Sequence, residues 1–277
     1  MAGNTATWDT GNARLDVIHG ALSVSDVYHT ASAHALPGHS TRVKFGRNAS
    51  IAASTPEEVN SFGDLVRLST ASTLSIVSSS AQDAVAGTGA SVIHINYLDA
   101  NYIEQNVEYT LTGLTPVVTT ETAIRVLSCW CTVCGTTQSN LGNIVITAVT
   151  GGSTQAYIET LKGQTHQSAY TIPAGKTGYI VSSTFSVAET AGGALKEADA
   201  FIQGWLRLYN ESSNDNYEAW RETFQVNINN RGAGYAHVPQ ELQSPILAKT
   251  DIKIVADVGV NGTEVDARLF ILLVDNE

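Results

Sequence analysis

Apolar residues in this 277-residue chain recur at every second position, run after run, and hardly anywhere at the three-to-four spacing of a long helix face. In Ser91-Val92-Ile93-His94-Ile95-Asn96-Tyr97, the residues Ile93, Ile95 and Tyr97 fall on one side and His94 and Asn96 on the other. Thr73-Leu74-Ser75-Ile76-Val77-Ser78 repeats the pattern. Successive side chains of extended backbone point to opposite faces, so this alternation marks half-buried strands. Turns rich in Gly, Ser, Thr, Asn and Asp separate the runs. The spacing predicts strands near 64–70, 73–79, 91–98, 103–112, 116–119, 123–134, 143–149, 155–161, 167–172, 177–187, 200–209, 221–228, 246–257 and 264–274. Many short strands at even spacing predict an all-β chain, a double-sheet sandwich of jelly-roll-like form. Asp99-Ala100-Asn101 and Asn261-Gly262 read as hairpin turns. The apolar run Leu269-Phe270-Ile271-Leu272-Leu273-Val274 predicts a central last strand, covered on both faces. Trp130 and Trp205 are placed at or near the core.

Residues 1–50 lack this regularity and read as an extended N-terminal arm before a sandwich body over 51–277. The arm holds Arg14, Arg42, Lys44 and Arg47 against Asp9, Asp16 and Asp26, so it carries +1 while the whole chain carries −11. Thr55-Pro56-Glu57-Glu58 resembles a short helix start, with Thr55 as cap. Charged residues make up only 15% of the chain, below the ~25% usual for soluble domains. Surfaces poor in long charged side chains lose less rotamer entropy when covered, which suits an assembly subunit. The acidic balance argues against a general nucleic-acid binder, which needs basic groups to displace counterions. MAGNTATWDTG has neither a basic nor an apolar region of a secretion signal. No window reaches the length of a membrane span.

The motifs that could carry chemistry are weak. Ala174-Gly175-Lys176-Thr177 lacks the earlier glycine of a phosphate loop, since position 170 is Tyr, and Pro173-Ala174-Gly175-Lys176 reads better as a hairpin turn. Cys129, Cys131 and Cys134 include one Cys-x2-Cys. A structural zinc site needs four ligands, and no second pair follows, so buried thiols are expected, with a zinc or iron site completed by a neighbouring subunit as the alternative. On a regular strand Cys129 and Cys131 would share one face and Cys134 the other. His94, His166 and His237 have no nucleophile motif beside them. Residues 210–218 are oxygen-rich but match no calcium loop and read as a polar hairpin.

Several phrases resemble a family. They are Ser78-Ser79-Ser80-Ala81-Gln82-Asp83-Ala84-Val85-Ala86-Gly87-Thr88-Gly89-Ala90, Leu98-Asp99-Ala100-Asn101-Tyr102, Leu111-Thr112-Gly113, Tyr170-Thr171-Ile172-Pro173-Ala174-Gly175-Lys176-Thr177-Gly178-Tyr179, and Lys249-Thr250-Asp251-Ile252-Lys253 followed by Phe270-Ile271-Leu272-Leu273-Val274. Together, from about residue 45 onward, they resemble uncharacterised β-rich virion structural proteins of tailed phages of marine and cyanobacterial hosts. The resemblance implies a β-sandwich virion component and supplies no catalytic residue.

Low charge, abundant Ser and Thr, and this resemblance predict a non-enzymatic phage virion structural protein, a capsid decoration or cement protein of the head. It would bind the shell through the arm and one sandwich face, with Trp8, Val17, Ile18 and Val24 as arm anchors. The expected partners are copies of itself, as a trimer, and other virion proteins such as the major capsid protein. The expected location is the virion, assembled in the host cytoplasm, with no cofactor, metal, nucleic acid or membrane. The alternative is a tail, fibre or adaptor protein that binds a host glycan. That needs exposed rings beside Asp or Asn, and Tyr209, Tyr217 and Trp220 around the acidic loop are the candidates. A polysaccharide hydrolase or lyase would need two carboxylates roughly 5–10 Å apart across a groove.

Overall fold

A computed structural model of the chain describes residues 7–9, 14–16, 31, 36–189, 199–213, 216–229, 234–239 and 244–276. The chain is all-β. A small hairpin comes first, β1 (Thr7–Asp9) against β2 (Arg14–Asp16), with Trp8 opposite Leu15. Next come β3 (His39–Ile51) and the two-residue β4 (Glu57–Glu58). Then follow β5 (Ser72–Ser78), β6 (Ala90–Leu98), β7 (Glu104–Thr110), β8 (Val117–Ala123), β9 (Arg125–Cys134), β10 (Ile144–Ala148) and β11 (Thr154–Ile158). The last group is β12 (Tyr170–Thr171), β13 (Lys176–Glu189), β14 (Asp199–Arg207), β15 (Arg221–Asn229), β16 (Tyr235–Pro239), β17 (Asp251–Val258) and β18 (Thr263–Asp275).

These strands build two sandwiches where the sequence predicts one. In the first, sheet β11-β10-β5-β8 faces sheet β7-β6-β9. Leu74, Ile76, Ile144 and Ile146 from one sheet meet Ile93, Ile95 and Tyr97 from the other in a single buried cluster. Alternate residues point inward along each strand, as the period-2 runs require; β5 reads buried at every second position. The long loop after β5 is tied by the buried carboxylate of Asp83. Its Oδ1 accepts from Ala90 N (2.9 Å) and Leu141 N (2.8 Å), and its Oδ2 from Ser78 Oγ (2.6 Å) and Gly142 N (2.9 Å).

The second sandwich wraps this one in sequence. Its sheets are β16-β13-β18-β3 and β12-β17-β14-β15, with β4 also on β17. Ile180, Phe185, Leu269 and Ile271 pack against Ile202, Ile252 and Ile254 in the other cluster. Its pairing is nested. β3 pairs with β18, β4 and β12 pair with β17, β13 pairs with β16, and β14 pairs with β15. First thus meets last, and each later strand meets the next one in from the end. β4 and β12 are two halves of one strand position. Along β17, Ala256 and Val255 face Glu57 and Glu58, and Ile252 and Asp251 face Tyr170 and Thr171. The first sandwich is therefore inserted in the middle of a strand. Its entry and exit run side by side as a neck: Ser61 N donates to His166 O (2.9 Å), and Ser168 N donates to Asn60 Oδ1 (2.9 Å). Gly46 of β3 lets this neck approach, because a Cβ there would lie 2.2 Å from Val59 O and 2.7 Å from Ser168 N.

Several expectations are corrected. Residues 39–50 form most of β3 and pair along β18, so the body begins at His39 and not after residue 50. Glu57 and Glu58 form strand β4, not the start of a helix, and their backbone is committed to β17. Residues 64–70 contain no strand. Asn261-Gly262 does not close a hairpin, since β17 and β18 lie in different sheets; Gly262 instead takes a positive φ of 82° at the crossing. The turn at 173–176 forms, with Gly175 at φ 73°, but it too passes between sheets. Trp130 is not in the core; it is 37% exposed and stacks on His94 at 4.2 Å. Trp205 is half-buried. β18 lies between β13 and β3, as its apolar run predicts, but only one face is fully covered: Leu269, Ile271 and Leu273 are fully buried, while Phe270 and Val274 on the other face are half-buried.

Candidate functional site

The densest arrangement of charge lies where the inserted sandwich meets the wrapping one. Asp251 is the first residue of β17, and register sets it between Thr171 of β12 and Arg207 of β14. Its side chain is fully buried. Arg125, the first residue of β9, reaches it from the inserted unit as a bidentate pair, Nε to Oδ1 and Nη2 to Oδ2, both 2.9 Å. Arg207 Nη2 donates to Oδ2 at 2.9 Å, and Thr171 Oγ1 to Oδ1 at 2.5 Å. Arg67 Nε stands 3.9 Å away. The carboxylate thus accepts four hydrogen bonds, near its full capacity. Burial by itself would raise its pKa. The charges of Arg125 and Arg67 and the hydrogen bonds from Arg125 and Thr171 outweigh burial and hold it below the usual value.

A second carboxylate, Glu58 of β4, completes the inner layer. It pairs with Arg67 through Nη1 at 2.8 Å, accepts from Asn60 Nδ2 at 3.1 Å, and has Lys253 Nζ at 3.9 Å. Burial pulls the Lys253 ammonium down, and Glu58 offsets part of that. Two carboxylates here face four cations. Aromatic faces meet the surplus, since ring quadrupoles attract cations. Arg67, Arg207 and Lys253 lie 4.6, 5.1 and 4.5 Å from the Trp220 ring. Arg207 lies 4.2 Å from the Tyr217 ring, and Lys249 lies 4.3 Å from Tyr209. Tyr217 Oη accepts from Arg125 Nη2 (3.2 Å) and is within hydrogen-bond distance of Tyr102 Oη (3.0 Å) and Lys249 O (3.1 Å). Burial, then the charge of Asp251, pushes this phenol well above its ordinary pKa, so it stays protonated.

Further pairs extend the joint. Arg42 Nη2 of β3 donates to both carboxylate oxygens of Glu104 of β7, each at 2.9 Å. Arg47 bridges Glu159 (2.9 Å) and Glu264 (2.6 Å). Lys44, pointing inward from β3, donates to Leu127 O of β9. Burial pulls its ammonium down to about 8. A cleft of about 550 Å³ separates β3 from β9 beside it. Chemically, this joint clamps. Its anions are saturated by fixed donors, and its cations are spent on carboxylates, carbonyls and rings.

The structure brings Tyr209, Tyr217 and Trp220 together as the sequence grouped them. They face cations of their own chain; Tyr217 is buried, and Tyr209 and Trp220 are half-buried. The polar loop between them closes a hairpin, with Asn210 N on Asn216 O at 2.8 Å. Trp8 sits in β1, and Val17, Ile18 and Val24 lie outside the described residues. The cysteines correct a face assignment. Register shifts around Val92 leave Thr132 unpaired as a bulge, so Cys131 pairs with Ile93 and Cys134 with Ala90, both inward positions. Cys134 therefore joins Cys131 against the core of the inserted unit. Burial, then Cys134 and Asp83, pushes the Cys131 thiol up to about 12. Among the described residues, no three His, Cys, Asp or Glu side chains converge as a metal site. His94 is half-buried, with Glu108 at 3.7 Å. His166 packs edge-on against Phe45, and burial lowers its pKa. Sequence reasoning missed Arg125 and Asp251, although each is a charge set in an apolar strand.

No protein-family model and no curated protein matches the chain. Among solved structures, it is similar to that of the infectious bursal disease virus Gt strain at 10% identity, covering 86% of this chain and 80% of that one, with a TM-score of 0.12. A crystal structure of the VP2 subviral particle of infectious bursal disease virus gives 10% identity over 86% and 72%, with a TM-score of 0.16. At scores this low, neither superposition carries an argument about fold or function.

Proposed function

We propose that this chain is a non-enzymatic structural subunit of a virus particle, and that its wrapping unit is a jelly roll. The observation that carries the reading is the nested pairing of β3 with β18, β4/β12 with β17, β13 with β16 and β14 with β15. A long antiparallel ribbon rolled up on itself gives this order, which is jelly-roll winding, an architecture used in viral shells and lectins. The inserted unit then projects from one strand of the roll, and the charged joint fixes its direction. A subunit of this kind works by surface burial, with ~800 Å² per partner sufficient for a stable contact. The low charged-residue content of the chain and the resemblance to phage virion proteins support a head decoration or cement role, with trimers as the unit and the major capsid protein as neighbour.

Imaging of purified virus particles from the host that makes the protein tests the reading. Copies on the order of hundreds, on a symmetric shell, are expected of a head protein. A few copies confined to the tail would move it to the tail or adaptor class, and absence from particles would overturn it. Deleting residues 1–35, which stops short of β3, should abolish loading and leave a folded body. Full loading of the truncated chain would remove the arm from the mechanism.

A further inference from the structure

The outer face of sheet β12-β17-β14-β15 carries a cleft of about 530 Å³, away from the joint and unused by it. Register fixes what it displays. Phe201 of β14 lies directly between Asn227 of β15 and Asp257 of β17. Two residues earlier, Asp199 lies opposite Asn229. The inward neighbours Ala200, Ile202, Ile228 and Val258 are core residues, so these five side chains all face out. Gly259, beside Asp199, has nothing within 4 Å of where a Cβ would be. Three adjacent strands spread the groups over roughly 10 Å, a scale that suits a sugar ring with its hydroxyls. An apolar ring surface takes the C–H face of a sugar, the carboxylates accept from hydroxyls, and the amides both donate and accept.

We propose that this cleft binds a neutral saccharide, stacked on Phe201 and hydrogen-bonded by Asn227, Asp257 and Asp199. The two carboxylates, on a chain of net charge −11, exclude sugars that carry an acid group. The site does not depend on the virion reading, since it would serve a head protein, a tail protein or a free lectin alike.

The test is NMR titration of the full chain with glucose, galactose, mannose, N-acetylglucosamine and their disaccharides, with glucuronate and N-acetylneuraminate as acidic counterparts. At least one neutral sugar should shift resonances around Phe201, and the acidic ones should not. Phe201→Ala should weaken that binding about tenfold. Gly259→Leu should block it, with the unfolding midpoint unchanged because the new side chain enters open space. Asn227→Ala, at an exposed position, provides a further variant that should stay folded. The proposal is overturned if no neutral sugar binds the wild type, if acidic sugars bind as tightly, or if folded variants bind like the wild type.

Discussion

Inside the inserted sandwich the buried contacts are aliphatic: Ile76, Ile93, Ile95, Ile144 and Ile146 are each fully buried. Where this unit meets the wrapping one, Leu98, Ile124 and Leu127 join the wrapping unit's apolar cluster, and beside them lie Arg125, Asp251, Glu58 and Arg67, with tyrosine and tryptophan faces around them. An aliphatic core tolerates many packings of similar volume. A bidentate guanidinium–carboxylate pair tolerates few geometries, because both hydrogen bonds must be met at once. The cores therefore make each unit stable, and the joint sets how one sits on the other.

The largest effect should come from Asp251→Ala. It leaves the guanidiniums of Arg125 and Arg207 buried without their anion, which costs about 3–5 kcal/mol. Urea unfolding should show it as a lower midpoint. Ile95→Ala, in the aliphatic core, should cost about 2–4 kcal/mol through lost transfer energy and a cavity. pH separates the two. The folded pKa of Asp251 is depressed, so its contribution is fully present above the unfolded carboxylate value of about 3.9 and fades as pH falls through the lower folded value. Acid should therefore narrow the gap between wild type and Asp251→Ala, and leave the Ile95→Ala gap unchanged.

Lys44 gives the same sign of pH dependence in a more alkaline window. Its folded pKa of about 8 lies below the unfolded value, so between these the unfolded chain holds the extra proton and stability rises with pH. Between pH 8 and pH 10 wild type should gain stability relative to Lys44→Met, on top of the shared losses from the buried thiols and phenols. A Lys44→Met curve with the same slope would show that the amine is not buried as described. The smallest effect belongs to the joint's outer rim. Arg42 and Glu104 are partly exposed, at 32% and 18%, so Arg42→Gln should cost only about 0.2–1 kcal/mol, and less in high salt.

Strands whose apolar side faces inward were legible in the sequence, because the signal is local. β6 and β10 follow the predicted spacing closely. β3 was not legible, because its pattern is inverted. Lys44, Gly46 and Asn48 face inward, while Val43 is 47% exposed. Its polar inward residues serve the joint and the neck, which no single stretch of sequence displays. β4 and β12 are two residues each and become one strand position only on β17. The grouping of Tyr209, Tyr217 and Trp220 was legible from proximity around one hairpin. The ion pair behind them was not: Arg125 and Asp251 are 126 positions apart, and nothing local links them. The bulge at Thr132 likewise appears only in the register with β6, and it decides which way Cys134 faces.

The claim that charge fixes one unit on the other is tested most directly by hydrogen exchange of wild type and Asp251→Asn across a urea series. In the wild type, β5–β11 and β13–β18 should lose protection at the same urea concentration. In Asp251→Asn the midpoint should fall, and protection at the neck and at Arg125 should be lost before either core opens. Coincident loss at the wild-type midpoint in Asp251→Asn would contradict the account.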